Sequence, residues 1–341
     1  MYFLIFVFSS FLINEIIIKK KILLDNLKFS KHKQLTTLNQ KIPFTAGYFL
    51  MFFIFFFNHH FNLFSILLIV MIFCTGILSD LFKNFSPILR LSIQFFSSLA
   101  FIITNEISIV ETRIISIDEL FDKYEYISIL FTLFCIIVLI NGTNFIDGVN
   151  LNTIGYYIII YSIILYLGYS QNLIINNDFF IKLIFLLFFL YILNLFNKTQ
   201  LGDGGAYLLS FLSAIYLINF ANENNFISPY FIILLLWYPC FENLFSIVRK
   251  IYQKKSISNA DNFHLHQLIF LFLKKNRISN PNNLTGLIIN TYNICIFLFS
   301  IQYLSNTKII LVIILVNIFC YIYSYNKLIN YLLKNKMFRR D

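Results

Sequence analysis

Along this chain, apolar residues gather into long blocks separated by brief polar punctuation. Covering a hydrocarbon core of about 30 Å as a helix takes roughly 20 mostly apolar residues, with about 17–25 tolerated. Blocks of that order lie at residues 2–18, 43–57, 61–78, 88–105, 126–141, 152–169, 180–196, 205–221, 229–248, 285–304 and 308–326. The pattern predicts an all-α, polytopic integral membrane protein with about eleven transmembrane helices, several of them short. It shows no repeat of solenoid or propeller period. Nor do its halves carry the matched broken helices of an inverted-repeat transporter.

Charge sets the orientation. Lys and Arg in short loops favour the cytoplasmic side. With the N-terminus outside, that side receives Lys19 to Lys21, Lys28, Lys31, Lys33, Lys41, Lys83, Arg90 and Lys198. The loop after span nine (249–284) and the basic tail (327–341) supply the rest, giving 22 basic residues against Arg113, Lys123, Lys182 and Lys308 on the other side. One missed helix would invert every later loop, so the split predicts N-out, C-in. The first block lacks a basic region ahead of it and is followed by positive charge, the reverse of a cleavable signal. A signal anchor is expected.

Composition narrows the class further. Of 341 residues, 59% are apolar and 12% charged, with mean hydropathy +0.76, which excludes an ordinary soluble domain. Ten Gly and five Pro are too few for long linkers, so residues 1–341 are expected to form one transmembrane domain. The five cysteines fall within or beside apolar blocks and predict neither disulfides nor a Cys metal site. The outer loop 105–126 concentrates acid, and its 107–117 stretch alternates like a short interfacial strand.

Polar chemistry collects on the predicted cytoplasmic side. Half of the glycines sit in two loops, Asn141-Gly142-Thr143-Asn144-Phe145-Ile146-Asp147-Gly148 and Gly202-Asp203-Gly204-Gly205. Connecting turns would also favour these residue types. Against that stands a third cluster, Gly76-Ile77-Leu78-Ser79-Asp80, followed by Arg90 and Gln94. A fourth, Asp261-Asn262-Phe263-His264-Leu265-His266-Gln267, places two His at i and i+2, a poor helical metal site and a better anion clamp. Ionisable groups at membrane depth usually mark a site. Asp80, Asp147 and Asp203 all fall at predicted helix ends, placed to converge on one cation. Mg²⁺ takes oxygen ligands, often one or two carboxylates completed by water and substrate phosphates. With Lys198, Arg90 and the His pair nearby, metal-assisted chemistry on a phosphate is expected at the inner membrane surface.

From Pro43 to Leu268 these motifs resemble, in order and spacing, those of the polyprenyl-phosphate N-acetylhexosamine-1-phosphate transferases, within glycosyltransferase family 4 and related to the phospho-MurNAc-pentapeptide translocase. Pro43-Phe44-Thr45-Ala46-Gly47 resembles the family's Pro-x-x-Gly-Gly, and Gly76 to Asp80 with Arg90 and Gln94 its Gly-x-x-Asp-Asp…Arg…Gln. Asn144 to Asn150 resembles Asn-x-x-Asp-Gly-x-Asp/Asn, and Gly202 to Ala206 resembles Gly-Asp-x-Gly-Ser. Pro239 to Arg249 resembles the end of span nine, and Asp261 to Gln267 resembles Asp-x-x-His-x-His-His.

The resemblance implies transfer of a HexNAc-1-phosphate from a UDP-N-acetylhexosamine donor to undecaprenyl phosphate, with release of UMP, Mg²⁺ (or Mn²⁺) as cofactor, and no nucleic-acid partner. It implies a multi-pass protein of the bacterial inner membrane, with its site facing the cytoplasm, that starts a cell-envelope polysaccharide. Relatives pack as dimers, so a homodimer is compatible. The implied catalytic residues are Asp80, Asp147 and Asp203, and Asp203 with Asn144 would hold the metal. Asn144, Gly148, Lys198, Gly202, Gly204, Arg90, His264 and His266 would bind substrate. Three positions depart from the pattern: Ser79 replaces the first Asp of the pair, Gln267 the third His, and Glu242 an Asp. A phosphate monoester with a second pKa of about 6 is mainly dianionic at neutral pH, so a dedicated base is dispensable. The alternative is an impaired relative that binds prenyl phosphate or serves as an accessory or transport protein.

Overall fold

A computed structural model describes residues 1–24, 42–58, 61–82, 84–256 and 261–335. Lys28, Lys31, Lys33, Lys41, Lys83, Lys336, Arg339, Arg340 and the pair His59–His60 lie outside the described residues. The chain is an all-helical polytopic membrane protein. Its helices are α1 (Tyr2–Lys20), α2 (Ala46–Phe57), α3 (Leu63–Leu81), α4 (Pro87–Asn105), α5 (Ile115–Lys123), α6 (Glu125–Ile146) and α7 (Asn152–Ser170). They continue as α8 (Asn177–Leu195), α9 (Gly202–Glu223), α10 (Pro229–Leu235), α11 (Trp237–Tyr252), α12 (Leu265–Lys275), α13 (Pro281–Ile301) and α14 (Thr307–Lys334).

Each of the eleven apolar blocks becomes a helix or a helix pair, but two are not simple spans. Among the described residues nine helices are long and apolar enough to cross a membrane. The block 43–57 yields only the 12 residues of α2, about 18 Å of helix. Its first residues instead pair with the α8–α9 loop: Gln200 N donates to Pro43 O and Ala46 N to Gln200 O. The block 229–248 breaks at Leu236, with α10 and α11 meeting at 73°. Two helices lie outside the expected spans, α5 and α12. The expected strand in 107–117 does not form, because α6 side chains satisfy its backbone: Ile109 N donates to Thr132 Oγ1 and Ser128 Oγ to Ile109 O. The basic tail is not separate either, since α14 continues through Lys327 to Lys334.

The core is built around α9, which is almost wholly buried and meets α2, α3 and α6. Glycines set those distances. A Cβ on Gly76 would lie 2.3 Å from Gly204 Cα, and one on Gly47 2.8 Å from Gly205 Cα, so α2 and α3 rest directly on the α9 backbone. Lipid supplies no hydrophobic drive between helices, and close backbone packing at small residues is the usual substitute. The same device joins α6 to α11, where a Gly142 Cβ would meet Pro239 O at 2.1 Å.

Candidate functional site

The ends of four helices meet where α3 crosses α9. Ser79 and Asp80 occupy the last turn of α3, Arg90 the first turn of α4, Asn144 the last turn of α6 and Asp203 the first turn of α9. Gly202 makes the turn into α9 with φ +71°, a conformation that favours glycine, and Asp80 Oδ2 lies 2.8 Å from where a Cβ would sit. Asp203 therefore emerges at a helix N-terminus, whose dipole favours a carboxylate.

Both oxygens of Asp203 are engaged across the bundle. Oδ1 accepts from Asn144 Nδ2 at 2.8 Å and Oδ2 from Ser79 Oγ at 2.8 Å. Ser79 Oγ in turn accepts from Arg90 Nη1 at 3.2 Å, and the Arg90 guanidinium lies over the Tyr207 ring. Asp80 Oδ2 accepts from Gly204 N at 3.4 Å. Asp80, Arg90, Asn144, Asp147 and Asp203 are all half-buried, enough to hold their geometry and still meet a ligand. The hydroxyl of Ser79 thus joins Arg90 to Asp203 at the position where the resemblance expects a second acid.

Asp147 closes α6, one turn beyond Asn144, and Gly148 follows it. The turn is pinned by asparagines. Asn152 Nδ2 donates to Ile146 O, Leu151 N to Asn194 Oδ1, and Asn150 Nδ2 to Asn197 Oδ1. Asn194 also donates through Nδ2 to Thr199 O at 2.8 Å, so one side chain of α8 braces both glycine-bearing loops. Lys198 sits in the second loop, where its ammonium pairs with Glu15 of α1 at 2.6 Å and lies over the Phe11 ring.

The two histidines occupy a different layer. His264 caps α12 in extended backbone, φ −81° and ψ 150°, which lets it share a face with His266: their rings stack at 5.8 Å and 7°. Their relative exposures are 6% and 0%, so neither ring is presented to solvent as the half-buried acids are. His266 Nε2 would lie 2.1 Å from a Cβ on Gly148, so this ring backs the turn that carries Asp147. The ring of His264 packs 4.9 Å from Phe145, and its Nδ1 lies 2.9 Å from Glu242 Oε1. Arg249 forks onto Asp261 at 2.8 and 3.1 Å, bonds the Tyr325 hydroxyl at 2.7 Å and donates to Phe263 O.

Sequence reasoning did not assign a role to Ser79 as a bridge, to Asn194, or to Tyr321 and Tyr325 behind the histidines. The last two carried a signal in their i, i+4 spacing on one face of the last helix.

Among the described residues no group of three or more His, Cys, Asp or Glu side chains is arranged to hold a metal ion, so the three aspartates make no ready cage. The oxygen donors that do gather, Asp203, Asp80 and the Asn144 amide, fit a cation such as Mg²⁺ that draws its remaining ligands from water and phosphates.

None of the curated proteins matches the chain. A family model does: that of "Glycosyl transferase family 4" matches residues 62–221, from the start of α3 to near the end of α9. That stretch contains Ser79, Asp80, Arg90, Asn144, Asp147 and Asp203, and stops short of the histidine layer. Over that stretch, a little under half of its length, the chain is similar to glycosyl transferase family 4, whose members transfer a sugar phosphate to a polyprenyl phosphate.

Proposed function

We propose that this transferase moves a HexNAc-1-phosphate from a UDP-N-acetylhexosamine to undecaprenyl phosphate and releases UMP, in a bacterial inner membrane with its site toward the cytoplasm. The observation that carries the reading is the seating of Asp203 between Asn144 and Ser79, with Asp80 held on the next residue's amide. Three separate motifs, carried on four helix ends, meet there among half-buried groups.

In the reaction, an oxygen of the lipid phosphate forms a bond to the β-phosphorus while the bond from that phosphorus to the UMP oxygen breaks. Charge spreads over the transferring phosphoryl, so positioning and electrostatics supply most of the catalysis. A bound Mg²⁺ would neutralise the diphosphate and the departing UMP, with Asp203 and Asn144 as its protein ligands and Mn²⁺ as an alternative ion. Asp80 orients the acceptor phosphate, or takes its proton where it arrives as the monoanion. Asp147 and Asn144 frame the nucleotide diphosphate at the C-terminal end of α6. Gly202 and Gly204 bring the α9 backbone close against Asp80 and α3, which keeps the two acids side by side, and Arg90 offers a cation one hydroxyl away from Asp203. Lys198 reaches a phosphate only by exchanging Glu15 for it.

Reconstituted protein supplied with undecaprenyl phosphate, Mg²⁺ and a panel of UDP-HexNAc donors should release UMP with at least one donor. Silence on every donor from folded protein would overturn the reading. Ser79 favours a second one, an impaired relative that binds prenyl phosphate without turnover: its hydroxyl occupies one Asp203 oxygen where a second carboxylate is expected. Tight binding of undecaprenyl phosphate together with no UMP release would select it.

A further inference from the structure

Glu242 is fully buried on α11, yet it accepts from three directions: His264 Nδ1 at 2.9 Å, the Tyr321 hydroxyl at 2.6 Å and Leu265 N at 3.4 Å. Burying a carboxylate costs several kcal/mol unless its lone pairs are filled, and an apolar residue in its place is often no worse for stability. A buried Glu with this donor set therefore calls for an explanation beyond cohesion. A carboxylate can only accept, so the hydrogen must sit on His264 Nδ1, which leaves Nε2 toward Asp261 at 3.6 Å. Arg249 grips Asp261 from behind, and Tyr325 grips Arg249. The His264 ring is thereby fixed in plane, rotation and tautomer by groups from α11, α14 and the loop before α12. It lies flat on His266, and His266 abuts the Gly148 turn.

We infer that Glu242 is a positioning residue of the transferase site: with Tyr321 it locks His264 in the Nδ1-protonated form, and the His264–His266 stack carries that alignment to the turn bearing Asp147. The importance for turnover rests on the transfer reading above, whereas the ring alignment does not. The histidines act from behind the turn, and their own anchor is Glu242 of α11, braced by Tyr321 of the last helix.

Two measurements on the full chain test this. In detergent, ¹⁵N-histidine spectra should contain one ring with protonated Nδ1. Its signal should vanish in His264→Gln and lose its Nδ1 proton or shift markedly in Glu242→Gln; an unchanged spectrum in Glu242→Gln overturns the inference. In the transfer assay, Glu242→Gln should lower kcat by about 10–100-fold with the donor KM within about threefold, the signature of misplacement rather than lost binding. Residues acting as one unit are non-additive, so Glu242→Gln should cost less than about twofold once His264→Gln is present. Full additivity, or a loss confined to KM, overturns the inference. Tyr321→Phe preserves shape and should lower kcat by about two- to fivefold, and Glu242→Asp should restore part of what Gln loses. If the wild-type protein transfers nothing, the transfer reading fails, and the spectra still decide whether Glu242 sets the ring.

Discussion

Ser79 is a neutral hydroxyl holding a cation and a carboxylate together. It donates to Asp203 Oδ2 while accepting from Arg90, so removing it leaves two charged groups without their intermediary. Hydrogen bonds to charged groups contribute roughly 1.5–3 kcal/mol net. Ser79→Ala should therefore lower kcat for UMP release by about 10–100-fold, since each 1.36 kcal/mol is a factor of ten. Asp203→Asn keeps the shape but removes the charge, and a loss above about 10³-fold is expected in the same assay. Ser79→Asp adds a carboxylate beside Asp203 and should lower the Mg²⁺ concentration that gives half-maximal rate. The sequence motifs named Asp80, Asp147 and Asp203 as one group, because only these loops combine glycine with acid, whereas the hydrogen bonds around Asp203 run to Asn144 and Ser79. The motifs could not reveal the bond between Ser79 and Asp203, which spans 124 positions and depends on how two helices cross.

Helix crossings supply that missing information. At Gly76 the α3 backbone rests on Gly204, one residue past Asp203, so the spacing between the two acid-bearing turns is set by main chain against main chain. Gly76→Ala places a methyl 2.3 Å from Gly204 Cα. Overpacking of this kind costs about 1–3 kcal/mol or more, so the thermal midpoint should fall together with kcat. Asn194 works the same way through hydrogen bonds, serving Leu151 N and Thr199 O at once. Asn194→Leu strands a buried donor and a buried acceptor at about 1–3 kcal/mol each, and should appear as earlier unfolding with both loops loosened toward proteolysis. Hydropathy located nine of the eleven blocks well, because it alone decides where a straight span lies. It misjudged α2 and the α10–α11 pair, where apolar residues serve a loop contact and a 73° bend rather than a straight crossing. Only folding distinguishes the asparagines that pin a turn from those that do not.

For the molecule as a whole, the lopsided charge makes an orientation prediction. A reporter fused after Asn335 should read as cytoplasmic, and one inserted beside α5 as external; both on one side would mean the span count is wrong, and the reverse pairing that the orientation is inverted. The same asymmetry predicts the acids, the histidines and the basic loops on one face, which is why the site's general location was legible while its layering was not. One more consequence comes from α1. Its fully buried residues are Ser10 and Asn14, while its apolar residues are exposed or half-buried. Asn14 bonds Thr45 and Lys198 O, Glu15 pairs with Lys198, and Phe3 and Phe6 edge onto Phe53 and Phe57. In a bilayer these polar groups have nowhere else to go, so attachment does not depend on the covalent connection to the rest of the chain. A protein expressed as two fragments, α1 and everything from Ile42 onward, should reassemble within the membrane and co-purify, and Asn14→Leu should abolish that recovery. The first helix would then be a detachable subunit in all but sequence.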